Sequence, residues 1–239
     1  MDVREGAGPE ARQQTYGSPA AVSPAAQAPG VGVLALQGDF AAHAAALRRA
    51  GGGEAREVRR RDELLACDAL VLPGGESTTL LKLLKDEGLW EPLRAFAAGG
   101  GAVFGTCAGL ILMAAEVTAP AQDSLGLLPV TVRRNGYGRQ VESRVVAGRV
   151  RIPSDIAWDE IRPGAAREPS IATEFVFIRA PRIVRAGVGV EVLAEHDGDP
   201  VLVRSGLFLA ATFHPEVAGD DAVVRLFLAL ARRARAKRR

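Results

Sequence analysis

The residues best suited to chemistry lie in a short glycine-flanked stretch around one cysteine. Residues 105–109 read Gly-Thr-Cys-Ala-Gly, after an apolar run typical of a strand and before one typical of a helix. This Gly-x-Cys-x-Gly pattern is the cysteine counterpart of the strand–turn–helix elbow that presents a nucleophile at the edge of an α/β sheet. Glycines suit such an elbow because side chains beside it would collide with the adjacent strand and helix. The pattern predicts Cys107 as a nucleophile; a buried structural cysteine in a glycine-rich turn is the alternative.

A histidine and a glutamate that could serve this cysteine occur together later in the chain. His214 follows a predicted strand, residues 207–213, and Glu216 lies two positions further on. Residues two apart in an extended backbone point the same way, so Glu216 is predicted to hold the His214 imidazole. The other histidines, His43 on a predicted helix and His196 before a predicted turn, have no carboxylate so placed. His214 is therefore the candidate base, with a satisfied core histidine as the alternative.

Two further groups of residues are predicted to bind a ligand. Residues 73–79 read Pro-Gly-Gly-Glu-Ser-Thr-Thr after a buried strand, where glycines let backbone amides approach a ligand and Ser77 could cap the next helix. This loop lacks the Gly-Lys-Ser/Thr ending of a phosphate-binding loop, and a simple helix-capping turn is the other alternative. Arg134, in a donor-rich segment, and Arg179, at a strand end, could each grip a carboxylate. Solvated surface arginines are the alternative.

Length and composition narrow the class of protein. The chain has 239 residues, of which 48% are hydrophobic and 24% charged, as in an ordinary globular protein with a sizeable core. A net charge of +2 favours neither nucleic acid nor membrane as a partner. The sequence contains no apolar run of about 18 residues and no secretory-signal pattern at its N-terminus. With two distant cysteines, we expect reduced thiols and a cytoplasmic location.

The order of the predicted elements indicates an α/β fold. Residues 1–30 are rich in Ala, Pro, Gly, Gln and Ser and are predicted to be a disordered extension, leaving residues 31–239 as one domain. Strands alternate with helices up to the cysteine segment, which predicts a parallel sheet with right-handed crossovers. Short strands separated by Gly, Pro and Asp in residues 125–206 predict an added antiparallel region. A final helix over residues 220–237 begins with acids and ends with arginines, which complements its dipole.

Several motifs together resemble a known family. Residues 105–110 and the sequence His214-Pro215-Glu216 resemble the triad-type glutamine amidotransferases, whose catalytic set is Cys, His and Glu. Four further stretches are similar to the glutaminase subunits of pyridoxal 5'-phosphate synthases. These stretches are residues 32–38, 72–79, 134–140 and 177–181. The resemblance extends over residues 31–230 and leaves out the N-terminal extension and the arginine-rich end.

The resemblance implies a fold, an activity and a partner. The fold would be a flavodoxin-like three-layer α/β structure with an open, mostly parallel sheet, an added antiparallel strand region and a cysteine nucleophile elbow. The activity would be hydrolysis of L-glutamine to L-glutamate and ammonia through a cysteinyl thioester, with no cofactor and no metal. The ammonia would be channelled to a barrel-fold synthase subunit, which combines it with a pentose phosphate and a triose phosphate into pyridoxal 5'-phosphate.

The resemblance also assigns roles to individual residues. Cys107 would be the nucleophile, His214 the base and Glu216 its orienting partner. Six residues would bind glutamine: Gly75, Glu76, Ser77, Arg134, Ile178 and Arg179. Backbone amides of Gly75 and Ala108 would stabilise the oxyanion.

Three other interpretations stay open at this point. A glutaminase subunit of another amidotransferase, such as one feeding an imidazole glycerol phosphate synthase, would share the triad but differ in residues 134–140 and 177–181. A stand-alone cysteine hydrolase acting on γ-glutamyl substrates would work without a partner. A non-catalytic scaffold of the same fold would be expected to have lost Cys, His or Glu, and this chain has all three.

Overall fold

A computed structural model describes residues 28–135 and 143–238 of the chain. Most of the predicted N-terminal extension (residues 1–30) and residues 136–140 of the donor-rich segment lie outside this range. The strands of the described part are β1 (Val31–Leu34), β2 (Arg56–Val58), β3 (Ala69–Leu72), β4 (Ala102–Thr106), β5 (Ala114–Thr118), β6 (Leu128–Arg133), β7 (Arg144–Arg151), β8 (Ser170–Phe177), β9 (Arg182–Ala186), β10 (Glu191–His196), β11 (Asp199–Ser205) and β12 (Phe208–Ala211). Its helices are α1 (Phe40–Arg49), α2 (Arg61–Leu65), α3 (Ser77–Asp86), α4 (Trp90–Ala98), α5 (Ala108–Met113), α6 (Trp158–Ile161) and α7 (Ala222–Arg238), with a 3-10 turn at Pro215–Val217.

A seven-stranded sheet organises the fold. Its order is β10-β11-β12-β4-β3-β1-β2, and the five strands from β12 to β2 are parallel. With β12 as the fifth parallel strand, this is the 2-1-3-4-5 order of flavodoxin-like folds. Strands β10 and β11 continue the sheet in antiparallel fashion beyond β12. The predicted flavodoxin-like, mostly parallel sheet is confirmed.

Helices cover both faces of this sheet and give three layers. Successive side chains of a strand point to opposite faces. Val71 and Phe104 accordingly pack with α1 and α7 on one face, while Leu72 and Val103 pack with α3, α4 and α5 on the other. All four of these side chains are fully or almost fully buried, which explains why the parallel strands are continuous apolar runs rather than alternating ones.

The segment that follows α5 forms the added strands. Strands β7 and β8 make an antiparallel hairpin, and β6 and β9 are also antiparallel. The prediction of antiparallel structure for residues 125–206 is confirmed for these pairs and for β10–β11. Strand β5 precedes that range, and it pairs with β6 in parallel. The reason is the loop of residues 119–127, which returns to the start of β5, where Gly126 N–H bonds to the Ala114 carbonyl, before β6 begins.

Three helices, α2, α4 and α6, had no counterpart in the sequence-based assignment. Each is short, and each buries only a narrow apolar stripe, such as Leu93 and Phe96 of α4.

Among the helices of the described residues, none combines the length and the apolar character that a membrane span requires.

Candidate active site

Cys107 lies in a sharp turn between β4 and α5. Its backbone has φ 49° and ψ −102°, a positive-φ conformation that costs a non-glycine residue about 1–3 kcal/mol. The flanking glycines make the turn possible: a Cβ on Gly105 would lie 2.6 Å from the carbonyl carbon of Gly109, and one on Gly109 would overlap the carbonyl oxygen of Leu72. Strand, turn and helix therefore form the predicted nucleophile elbow.

His214 follows β12, the parallel neighbour of β4, and so reaches the same edge of the sheet as the cysteine. Its Nδ1 lies 2.7 Å from Oε1 of Glu216, and the Glu216 side chain is almost completely buried. The predicted pairing is therefore present, but the extended backbone from which it was predicted is wrong. Glu216 sits in a 3-10 turn that begins at Pro215, a residue whose fixed φ favours a turn.

The electrostatics of this pair favour an imidazolium next to a carboxylate. Burial alone would lower the pKa of His214, but its interactions with Cys107 and Glu216 raise the pKa to about 10. Burial alone would raise the pKa of Glu216, but the hydrogen bond from His214 and the nearby histidines lower it. Nε2 of His214 is buried without a well-aligned partner among the described residues, which is common for a nucleophile–base pair before substrate binds.

His43 is a third member of this cluster, and it was not predicted from the sequence. No carboxylate lies two residues after His43, but the fold brings one to it: its Nε2 lies 3.4 Å from Glu216 Oε1 and 3.1 Å from Thr106 Oγ1. The contact crosses from α1 to the 3-10 turn, so only the tertiary fold creates it. A signal was present, because His43 shares the buried face of α1 with Ala46 and Leu47 at helical spacing.

The loop after β3 forms one wall of the site. Gly75 has φ 148°, and a Cβ there would lie 2.6 Å from Oε1 of Gln37, the group that accepts the Glu76 amide hydrogen at 3.1 Å. The prediction that Ser77 caps the next helix is wrong. Glu76 is the cap, and its carboxylate accepts from the amide of Thr79 at 2.8 Å. Ser77 is buried.

The predicted arginines approach from two other segments. Arg134 Nη2 donates to Thr78 Oγ1 at 2.8 Å and lies 3.4 Å from Glu76 Oε1. Arg179 follows β8 in a positive-φ conformation, φ 47°, with an exposed side chain. The carbonyl of Ile178 accepts a long contact from Cys107 Sγ, 3.9 Å, which brings the end of β8 against the elbow.

A cavity of about 290 Å³ unites these residues. Its lining includes nine of the ten predicted site residues: Gly75, Glu76, Ser77, Cys107, Arg134, Ile178, Arg179, His214 and Glu216. Ala108, the tenth, does not line the cavity, but it is the first residue of α5, where an amide has no acceptor within the helix. The prediction did not include five further lining residues: Asp39, Gly74, Ile111, Asn135 and Val217.

This arrangement can carry out acyl chemistry without a metal. An elbow cysteine, a histidine with a buried carboxylate, and arginines beside one cavity can bind a carboxylated substrate and attack its acyl carbon. Within residues 28–135 and 143–238, no group of three or more His, Cys, Asp and Glu side chains could hold a metal ion. Fold and site thus define a flavodoxin-like α/β protein with the cysteine–histidine–glutamate set of a cysteine hydrolase or amidotransferase.

Comparisons with known proteins narrow this class. The family model of the SNO glutamine amidotransferase family matches residues 33–231, and the chain belongs to this family. A relative from Solibacter usitatus, called pyridoxal 5'-phosphate synthase subunit PdxT, is 52% identical over 198 residues, covering 83% of this chain and 97% of the relative. A protein of the same name from a Parafrankia species is 51% identical over 207 residues, covering 86% and 94%.

Solved structures agree with this assignment. The chain resembles a crystal structure titled glutamine amidotransferase with a TM-score of 0.72 and 46% identity, covering 84% of this chain and 98% of that one. The structure of PurLQS from Thermotoga maritima contains a chain that matches with a TM-score of 0.61 at 17% identity, with 85% and 98% covered. At that identity the second likeness shows the fold alone.

Proposed function

We propose that this chain is the glutaminase subunit of a pyridoxal 5'-phosphate synthase, hydrolysing L-glutamine to L-glutamate and ammonia. One observation carries the proposal: Cys107 in its elbow and the His214–Glu216 pair meet at a single cavity that two arginines also line. Membership of a glutamine amidotransferase family supports glutamine as the substrate. The names of the relatives support vitamin B6 synthesis as the destination of the nitrogen.

Glutamine binds with its polar end against the loop after β3 and the arginines. The residues that hold its α-carboxylate and α-amino groups are Gly75, Glu76, Ser77, Arg134, Ile178 and Arg179. Arg134 is already fixed by Thr78 and Glu76, so little side-chain entropy is lost when it grips a carboxylate. The cavity of about 290 Å³ suits a ligand the size of one amino acid.

Cys107 is the nucleophile of the first step. With its proton held by His214, the Cys107 sulfur attacks the side-chain amide carbon of glutamine, and the carbonyl electrons move onto oxygen. Backbone amides of Gly75 and Ala108 donate to this oxyanion, and each such donor is worth about 2.7–4 kcal/mol. An imidazolium at His214, ready to donate a proton, agrees with the raised pKa of this residue.

His214 then transfers protons in both halves of the reaction. It protonates the departing nitrogen, the C–N bond breaks, and ammonia leaves a γ-glutamyl thioester on Cys107. The neutral imidazole next takes a proton from water, whose oxygen attacks the thioester and releases glutamate. Glu216 keeps Nδ1 of His214 as the donor nitrogen through their 2.7 Å contact, so that Nε2 faces the chemistry.

The ammonia passes to a barrel-fold synthase subunit in a hetero-oligomer, with no nucleic acid or membrane involved. Residues 31–239 act as one amidotransferase domain, and the family match to residues 33–231 supports this. A cytoplasmic location is supported by Cys67 and Cys107, which are both free thiols.

Release of glutamate from glutamine, measured with and without a barrel-fold synthase subunit, tests this function. We expect strong activation by the synthase subunit and no activity in a Cys107→Ala variant. Cys67→Ala is the matched control, because Cys67 is buried, donates to the Glu63 carbonyl at 3.2 Å, and has a pKa raised by burial to about 11. Full activity of the chain alone would instead identify a free-standing hydrolase. A folded chain that is silent with and without the synthase would contradict glutaminase function.

A further inference from the structure

His43 is a buried polar residue without a role in the reaction described above. It projects from α1 into the interior with 2% of its surface exposed, on the side of Glu216 away from the cavity, which it does not line. Its Nε2 lies 3.1 Å from Thr106 Oγ1 and 3.4 Å from Glu216 Oε1. The same carboxylate oxygen contacts Nδ1 of His214 at 2.7 Å. Oε1 of Glu216 thus stands between two imidazoles.

The chemistry of these contacts selects one form of His43. Burial, the largest influence, lowers the pKa of His43 even though Glu216 lies nearby, so the imidazole is neutral near pH 7. A neutral imidazole has one donor and one acceptor nitrogen. An unprotonated Nε2 would direct its lone pair at an ionised carboxylate oxygen that can only accept. The hydrogen therefore resides on Nε2, where the Thr106 hydroxyl accepts it at 3.1 Å and Glu216 Oε1 lies within 3.4 Å.

Among the described residues, the hydrogen-bond partner of the Glu216 side chain is His214, at Oε1. The Glu216 carboxylate is desolvated, and Oε2 has no hydrogen-bond partner among the described residues. It is held by a 3-10 turn of only three residues, which offers little backbone rigidity. Helix α1 supports this turn at two points, because Arg49 Nη2 also donates to the Glu216 carbonyl at 3.4 Å.

We propose that His43 is a positioning residue of the glutaminase reaction: its Nε2–H holds the Glu216 carboxylate ionised and aimed at Nδ1 of His214. His43 acts only through Glu216 and touches no substrate. The inference rests on the proposed glutaminase function, and it adds a fourth side chain to the cysteine–histidine–glutamate set. The buried order is His43, Glu216, His214 and then Cys107 at the cavity.

Two amide variants separate this role from simple packing. The amide nitrogen of His43→Gln can occupy the position of Nε2, whereas that of His43→Asn can reach only the position of Nδ1. We expect His43→Gln to keep most of the kcat for glutamine hydrolysis in the complex with the synthase subunit. His43→Asn should lower kcat about 10- to 100-fold, as when groups that orient metal-ligating histidines are removed. KM for glutamine should stay within about twofold in both, because His43 does not line the cavity.

A third variant, His43→Phe, retains a ring of similar shape that can keep the edge contact with Phe104 but carries no donor. We expect it to match the Asn variant in kcat, with circular dichroism confirming that each variant is folded. Unchanged kcat in a folded Phe variant, or equal losses of kcat in the Gln and Asn variants, would overturn the role of His43. If the wild-type complex is active in the same assay, the glutaminase proposal stands even then. A wild-type complex that releases no glutamate would overturn the glutaminase function itself and this inference with it.

Discussion

Gly74 is the residue at which a single methyl group should disturb catalysis most directly. A Cβ at this position would lie 2.5 Å from Cε1 and 3.1 Å from Nδ1 of His214, but 3.5 Å from Cβ of Cys107. Gly74 has no positive φ, so Gly74→Ala introduces a steric effect without backbone strain. The substitution therefore pushes on the imidazole and leaves the cysteine in ordinary contact.

The geometry sets the size of the effect. To restore an ordinary contact of 3.4 Å, the ring of His214 must move by about 0.9 Å. The 2.7 Å contact with Glu216 cannot survive such a shift unchanged. A misplacement of about 1 Å in a catalytic group lowers rates roughly 10²-fold, or about 2.7 kcal/mol. We expect Gly74→Ala to lower kcat by this factor, with a smaller change in KM for glutamine.

Steady-state glutamate release in the presence of the synthase subunit measures this loss. Gly219→Ala is the matched control, because Gly219 also lacks a positive φ and a Cβ there would find its nearest neighbour at 3.8 Å. We expect the control to keep wild-type kcat. A folded Gly74→Ala variant with kcat within threefold of wild type would refute the placement of His214 as the base.

Three further outcomes follow from the same site and its surroundings. Glu216→Gln removes a negative charge that raises the pKa of His214, so the alkaline limb of the kcat/KM profile should move to lower pH; an unmoved limb would contradict the pairing. Arg134→Met should raise KM for glutamine about tenfold with little change in kcat. Arg133→Met, at a position outside the cavity, should leave KM unchanged, and an equal rise of KM in both variants would exclude a binding role for Arg134. Two neighbouring arginines lower the pKa of Asp155 to about 2, so the ionised carboxylate should add about 0.5–1 kcal/mol to the free energy of unfolding above pH 4, and this gain should disappear as the pH falls through 2. A difference in melting temperature between wild type and Asp155→Asn that does not change with pH would disprove this.

The parts of the site that were predictable from sequence are those encoded by local chemistry. The elbow around Cys107 requires glycines at fixed spacing, and the loop after β3 needs a glycine with positive φ at Gly75. Such requirements leave a readable pattern because few other residues fit. The parallel sheet was predictable for a similar reason: strands buried on both faces must be continuously apolar.

The features that the sequence did not predict depend either on which of two neighbouring residues caps a helix or on contacts between segments far apart in the chain. Both Glu76 and Ser77 are able to cap α3, and only the backbone course decides that Glu76 does so. The contact between His43 and Glu216 joins segments far apart in sequence, so no local pattern contains it. The parallel pairing of β5 with β6 is set by the path of an irregular loop, which apolar periodicity does not describe.

Covalent labelling tests the glutamine site and its nucleophile together. The probe is a glutamine analogue that carries an electrophilic carbon in place of the amide, and peptide mass spectrometry locates the label. We expect a single label on Cys107 and none on Cys67, protection by excess glutamine, and slower labelling when Glu216→Gln weakens the base. Labelling of Cys67, or labelling of Cys107 that glutamine does not slow, would contradict the assignment of this cavity as the glutamine site.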